Sequence, residues 1–476
     1  MSDVAEIRQA ANEHAGRRGF ADLRAPETMR AAFVRRQDTA MFGDLPADQR
    51  DPRRSVHVGE VPTPRPGPGE ALVAVMAAGL NHNTVWSSIF QPEPGFNYLD
   101  RFALGGAGTG HALDYHVLGS DAAGVVLEVG PGPTRYQPGD EVTVCPTYVP
   151  NREISFTDDA IADPSLRAWG FETNFGALAQ FALVRSGQLM PKPRHLSWEE
   201  AASLQLVSAT CYRMLVGDHG ARMRQGEIVL VWGAAGGLGS MAVQYVRNGG
   251  GIPVAVVSSP EKAALLRGAG VEAVIDRVAE GYRFLVDGEI NLRDCLRLRR
   301  QIRRLVGDDP DIVFEHIGQA TFPASIVVPR KGGRIVTCAS TTGYRHIYDN
   351  RFLWMNVRSI IGSHGGTFEE SWAANQLSCR AMIHPTIWSV VDLDRVGEAV
   401  ATMHRNEHVG KVGVLCLAEA PGQGVRDPQT RARHVDAITH HHRFGPPATG
   451  DGGQQQTRTP TGTVPDGLPA GPPASG

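Results

Sequence analysis

The apolar positions of this chain keep two rhythms. In the middle of the sequence, an unbroken apolar run at 228–232 stops at Gly233-Ala234-Ala235-Gly236-Gly237-Leu238-Gly239-Ser240, and helical spacing follows in Met241, Ala242, Val243, Tyr245 and Val246. A buried parallel strand reads as such a run, and strand, glycine turn, helix is the order of a first βα crossing. Apolar strands at 253–257, 273–275, 312–315, 333–339 and 359–363 then alternate with helical stretches, which predicts a doubly wound parallel sheet. Before residue 208 the strands are short and punctuated by Gly and Pro. Residues 70–78 follow Arg65-Pro66-Gly67-Pro68-Gly69, 116–126 precede turns at 130–133 and 138–142, and 177–184 reads as a further strand. That rhythm predicts a β-rich, barrel-like domain.

The expected organisation is α/β. It comprises an N-terminal arm at 1–27, a catalytic domain from 28–208 and 368–443, a Rossmann domain at 209–367, and a disordered tail at 444–476. Ser197-Trp198-Glu199-Glu200 is a capping box that opens an apolar helix, and another helix is expected at 209–216. Residues 91–115 are glycine-rich and read as an irregular surface excursion, and 146–168 as polar and irregular. A helix at 368–382 and a strand at 411–417 bring the chain back to the first domain. The tail is Gly, Pro, Thr, Ser and Gln, without the apolar residues a core needs.

The glycine cluster carries the first chemistry. Ala235, Gly236, Gly237, Leu238 and Gly239 form a turn where backbone can approach a pyrophosphate and a helix N-terminus faces it. The next strand ends Ser258-Ser259-Pro260-Glu261-Lys262, with Arg277 at the end of the strand after it. An NAD site usually has an acidic residue at that strand end to hold the ribose 2′-hydroxyl. Hydroxyls (Ser258, Ser259) and cations (Lys262, Arg277) suit a 2′-phosphate instead, so the cofactor read here is NADPH. Glu261 is expected on the first helical turn, facing solvent.

Composition narrows the class. With 476 residues and 42% hydrophobic content the chain can bury a large core, and a net charge of −3 gives no field for nucleic acid or anionic membrane. No apolar run approaches a membrane span, and the polar start is unlike a signal peptide, so the expected compartment is the cytoplasm. The six cysteines stand singly, which argues against a disulfide framework or a zinc site, and Cys338 and Cys416 read as buried small hydrophobes. The arginine-rich stretch 292–306 reads as a solvated helix face, and His440-His441-His442 as a helix end.

Gly119-x-Asp121-x-x-Gly124 with Gly139-Asp140, ahead of a late nucleotide domain, resembles the medium-chain dehydrogenase/reductase superfamily. Asn81 stands where its zinc enzymes have a ligand cysteine, so no metal is expected. Longer runs narrow the match: Asn81-x-Asn83-Thr84-Val85-Trp86, Trp169-Gly170-Phe171-Glu172-Thr173-Asn174-Phe175-Gly176, Phe314-Glu315-His316, Tyr348-Asp349-Asn350-Arg351 and Ile361-Gly362-Ser363-His364. Together they resemble crotonyl-CoA carboxylase/reductases over residues 28–440. The resemblance implies NADPH-dependent reductive carboxylation of a 2-enoyl-CoA with carbon dioxide to an alkylmalonyl-CoA, which fits supply of polyketide extender units. It implies a carbon-dioxide pocket of Asn81, Phe171, Glu172 and His364, with Arg351 toward the CoA phosphates, and a homotetramer. Amide and imidazole donors can steady the forming carboxylate, an aromatic wall excludes water, and Glu172 would orient a water or a partner.

The chain departs from that family after His364, where Phe-Ala-Asn is usual and Gly365-Gly366-Thr367 stands. Losing a benzyl-sized side chain enlarges the acyl pocket, so longer 2-enoyl chains are expected. His82 also replaces a tyrosine. Two other readings stay open: a plain NADPH-dependent enoyl-CoA or quinone reductase that protonates the enolate, and a protein that binds NADPH without turnover.

Overall fold

Six parallel strands form the nucleotide-type sheet, in the order Ala273–Asp276, Ile252–Val257, Ile228–Val231, Ile312–Glu315, Arg334–Thr337, Ser359–Gly362. The computed structural model describes residues 2–106, 108–150 and 157–444, so the tail reading lies outside the described residues, as does part of 146–168. Strand order reverses beside Ile228–Val231, whose four residues are all buried. A crevice at that reversal is where α/β sheets take ligands.

The second sheet has seven strands and is centred on Glu70–Gly79. Nine of that strand's ten residues are buried, because Ala122–Val129, Phe181–Arg185 and Lys411–Leu415 all pair with it. The return of the chain through Lys411–Leu415 is therefore a ladder contact in the first domain's central sheet. A three-stranded sheet of His57–Pro62, Thr28–Arg35 and Tyr115–Val117 lies beside it, joined by a bridge between Ala31 and Ala179. One apolar cluster runs through helices Gln205–Leu215 and Gly237–Asn248 and joins the cores of the two large sheets.

Several elements differ from expectation for physical reasons. Residues 91–115 contain the helix Gly95–Leu104, with Phe96, Leu99 and Phe102 buried along one face; the glycines that suggested a loop cluster after its C-terminus. The N-terminal segment is helical at Val4–Asn12 and Gly16–Phe20, but Ile7, Ala11 and Phe20 are buried in the main core, so it packs on the body. The strand expected from 177 starts at Phe181, because Ala177 and Leu178 bond to Gly119 and Leu118 while Leu178 accepts from Ala32. The capping box at Ser197 is present, with Glu200 reaching back to it. Of the basic helix Leu292–Val306, Arg299 and Arg303 both clasp Asp309, at 2.5 and 2.6 Å. Among the described residues no helix is long and apolar enough to cross a membrane.

Candidate functional site

A cavity of about 430 Å³ opens where the C-terminal ends of the parallel strands face the second sheet. Its nucleotide end follows from the glycine turn. Gly233 has φ +54°, and a Cβ on Gly239 would stand 2.2 Å from the Gly233 carbonyl oxygen. Only hydrogen fits there, so the helix starting at Gly237 packs tightly on its strand and presents its free N–H groups to the cavity. Ala235, Gly236, Gly237 and Leu238 lie on the wall; Gly239 stands behind them as a packing residue.

Ser258 and Arg277, just past the next two strands, and Lys262, on the first turn of the helix between them, join the same wall. Ser259 does not: its hydroxyl caps the helix Pro260–Gly268 by accepting from the Lys262 amide. Glu261 is exposed, as expected. Burial and mutual repulsion depress Lys262, burial depresses Arg277, and among the described residues neither forms a salt bridge. Two half-buried cations that form no salt bridge among the described residues, beside a helix N-terminus, have the chemistry that suits a phosphate. The site thus fits NADPH on its own geometry.

The other end of the cavity gathers most of the remaining expected residues. Asn81, Phe171 and Gly365 lie on the wall, with His364 exposed at its rim. Asn81 lies two residues past the end of the central strand and stands at the N-cap of His82–Ile89, yet its side chain makes no capping bond. Its Nδ2 donates to Asp121 Oδ2 at 2.8 Å and, more weakly, to the Gly79 carbonyl at 3.4 Å; its Oδ1 accepts from Lys411 Nζ at 2.5 Å. Lys411 also donates to the Leu80 carbonyl at 2.6 Å and pairs with Asp121 at 3.2 Å, and Asp121 Oδ1 accepts from the Leu206 amide. Asp121 and Lys411 are buried, so desolvation pushes the carboxyl up and the ammonium down, each opposed by the other's charge.

Phe171 meets Tyr98, from helix Gly95–Leu104, at 5.5 Å between ring centroids. Glu172 stands off the wall: its Oε2 accepts from the Ala168 amide at 2.7 Å and closes the turn that carries Phe171. Gly365 has φ +54°, and a Cβ there would lie 3.1 Å from Thr147 Cγ2. Gly366 packs on the Ala209 backbone and is off the wall, while its carbonyl accepts from Thr147 Oγ1. Arg351 is also outside the cavity, on the exposed helix Asn350–Trp354, held by Asp349 at 2.7 Å.

The structure adds wall residues that sequence reasoning did not assign: Lys411, with Asp121 behind it, and the imidazoles of His82, His316, His404 and His408. Burial holds His82, His316 and His408 down to about 4, so they are neutral near pH 7. Cys338 corrects its reading as core: it is half-buried on the cavity wall, its thiol pushed up to about 12 by burial and Glu315. Cys416 is likewise half-buried, with its thiol toward the Ala177 carbonyl. Among the described residues no three His, Cys, Asp or Glu side chains converge as a metal site requires.

Comparison with known proteins places this geometry. Residues 67–194 match the alcohol dehydrogenase GroES-like domain, and residues 237–378 match the zinc-binding dehydrogenase family model. The chain is 53% identical to a crotonyl-CoA reductase of Streptomyces collinus, covering 88% of this chain and 94% of that protein. It is 36% identical to a crotonyl-CoA carboxylase/reductase of Cereibacter sphaeroides, covering 79% and 86%. Among solved structures, the 2-octenoyl-CoA carboxylase reductase CinF, from a Streptomyces species, in complex with NADP and 2-octenoyl-CoA, superposes with a TM-score of 0.88 at 45% identity, covering 92% of this chain and 99% of that one.

Proposed function

This chain belongs to the crotonyl-CoA carboxylase/reductase family, and on that premise we propose that it reductively carboxylates 2-enoyl-CoA thioesters, with a preference for acyl chains longer than crotonyl. It is an NADPH-dependent oxidoreductase of enoyl-CoA. The observation that carries the reading is one shared wall: Asn81, Phe171 and His364 border the same cavity as the phosphate-facing helix and the unpaired Lys262 and Arg277.

When bound, NADPH supplies a hydride for the substrate's β-carbon. Gly236, Gly237 and Leu238 would hold the pyrophosphate, and Ser258, Lys262 and Arg277 the 2′-phosphate. The enolate left on the substrate is nucleophilic at its α-carbon. Phe171, backed by Tyr98, keeps water from that carbon. His364 offers an imidazole donor to the oxygens of carbon dioxide. Asn81 can offer one too, by giving up its longer bond to the Gly79 carbonyl while Asp121 and Lys411 keep the amide oriented. Glu172 acts through the backbone turn it closes.

The test is product mass after incubation with NADPH, 2-octenoyl-CoA and ¹³C-bicarbonate. Labelled alkylmalonyl-CoA is the expected product. Saturated octanoyl-CoA without label would make the protein a plain enoyl reductase, a reading that the opening at Gly365 favours if it admits water.

Chain length has its own test. Gly365, on the wall, is the glycine that widens the acyl end; Gly366 is spent on packing. Gly365→Phe is expected to lower kcat/KM for 2-octenoyl-CoA at least about tenfold relative to crotonyl-CoA, since an added benzyl group competes with the acyl tail for volume. The positive φ adds roughly 1–2 kcal/mol of strain common to both substrates, which leaves their ratio interpretable. An unchanged ratio would separate chain length from this position.

We further infer a homotetramer in the cytoplasm. Among the described residues the edge strand Ser359–Gly362 has a strand partner on one side only, and Trp354, Met355 and Val357 beside it are 63%, 58% and 66% exposed. An open edge flanked by apolar side chains suits pairing with a second copy, which would also bury the segment carrying Arg351. Light scattering of the full chain checks the mass.

A further inference from the structure

A dinucleotide seated where the strand order reverses has two halves, and the strands divide them. Ser258, Lys262 and Arg277, the residues assigned to the 2′-phosphate, follow Ile252–Val257 and Ala273–Asp276, so the adenosine half lies over those strands. The nicotinamide half then crosses Ile228–Val231 to lie over the end of Ile312–Glu315. The first side chain past that end is His316, which borders the cavity and is 9% exposed.

Its two ring nitrogens are placed differently. Nε2 stands 2.8 Å from the Trp232 carbonyl oxygen, which can only accept, so Nε2 carries a hydrogen and donates. Nδ1 has no partner among the described residues. The ring also lies against the glycine turn, where a Cβ on Gly233 would stand 3.0 Å from His316 Cε1. One nitrogen is thus fixed to the strand beneath the turn, and the other is left for an occupant of the cavity. The loop after the ring is held by Glu315, which is fully buried. Its Oε1 accepts from the Ile317 and Gly318 amides at 2.8 and 3.0 Å and from Thr321 Oγ1 at 3.0 Å. Its Oε2 accepts from Ser325 Oγ, which accepts in turn from Trp232 Nε1 at 2.8 Å. That carboxylate serves the loop and does not pair with the imidazole. The proton affinity of His82, the residue after Asn81, is lowered by burial and then by the charges of His404 and His316, so the His316 ring lies toward the reacting end. Between the pyrophosphate and the nicotinamide ring, the polar groups of the cofactor are ribose hydroxyls. A hydroxyl both donates and accepts, so it suits Nδ1 whether or not that nitrogen carries a proton.

We propose that His316 is a further cofactor-binding residue, whose Nδ1 pairs with a hydroxyl of the nicotinamide ribose and so positions the hydride donor. The inference rests on the reading that puts the 2′-phosphate at Lys262 and Arg277.

Two ligands separate the halves. NADP⁺ carries both, whereas adenosine 2′,5′-bisphosphate carries the 2′-phosphate and no nicotinamide ribose. Each is titrated by calorimetry into the full chain and into its His316→Phe variant, which keeps a ring on Gly233 without either nitrogen. The variant is expected to bind NADP⁺ about three- to tenfold more weakly, the worth of one net hydrogen bond, and to hold the bisphosphate within about twofold. Equal weakening of both ligands would assign the effect to packing on the glycine turn and overturns the proposal. Unchanged NADP⁺ binding overturns it as well. If thermal unfolding shows the phenylalanine variant misfolded, His316→Gln, which keeps an N–H for the Trp232 carbonyl, decides by the same two titrations. Failure of the unmodified chain to bind the bisphosphate would overturn the placing of the 2′-phosphate and this inference together; a loss confined to NADP⁺ in the variant bears on His316 alone.

Discussion

Asp121→Ala is expected to lower the free energy of unfolding by about 3–5 kcal/mol, the cost of leaving a buried charge without its partner. Asp121 is fully buried and Lys411 is 3% exposed. Removing the carboxylate leaves the Lys411 ammonium with only the Leu80 carbonyl and the Asn81 oxygen, and orphans the Leu206 amide as well. Equilibrium denaturation of the full chain measures the loss. Asp121→Leu combined with Lys411→Met removes both charges and is expected to be more stable than either single change. The double variant should still carboxylate poorly, because the Asn81 amide has lost both residues that orient it. A loss below about 1 kcal/mol for Asp121→Ala would mean that water reaches the pair and that Asn81 is not held as the contacts indicate.

The reach of sequence reasoning here follows the distance between cooperating residues. The fingerprint was legible because its causes are local. Ile228–Val231 is buried on both faces and so is apolar throughout, and Gly239 must be glycine because Gly233, six positions back, occupies the space of its side chain. That Ser258, Lys262 and Arg277 share one wall was legible for the same reason, since they stand just past one strand, on the first turn of the helix after it, and just past the next strand. The ion pair behind Asn81 was not, for Asp121 and Lys411 are 290 positions apart; Asp121 stood out only as part of a motif, and nothing local to it points to Lys411. Of the wall histidines, His82 and His316 come from distant parts of the chain, while His404 and His408 stand four residues apart; what relates all four is the cavity they line. Gly365 and Gly366 show a finer limit, since no pattern tells which of two neighbouring glycines borders the cavity; it is Gly365, while Gly366 lies against the Ala209 backbone. Helix Gly95–Leu104 was hidden by the glycines after it, although its buried positions 96, 99 and 102 carry helical spacing.

Replacing both nucleotide-end cations, Lys262→Ala with Arg277→Ala, is expected to weaken NADPH binding roughly a hundredfold to ten-thousandfold. Hydrogen bonds to a charged group contribute about 1.5–3 kcal/mol each, and each 1.4 kcal/mol is tenfold in affinity. NADH has no 2′-phosphate, so its KM should move little, and the preference for NADPH should collapse. Direct titration of cofactor fluorescence separates this from any effect on turnover. Stability gives an independent readout. Both cations are half-buried and lose hydration, Arg277 further depresses Lys262, and among the described residues no salt bridge offsets the cost, so the empty protein should gain rather than lose thermal stability. If the two cations instead held the fold, both cofactors would weaken in parallel and the melting temperature would drop. Adding Ser258→Asp to the double variant places an acceptor for the ribose hydroxyls at the strand end, where NAD sites carry one, and is expected to turn the preference toward NADH. Failure of that third change to improve NADH binding would mean that Ser258, though on the wall, does not face the ribose.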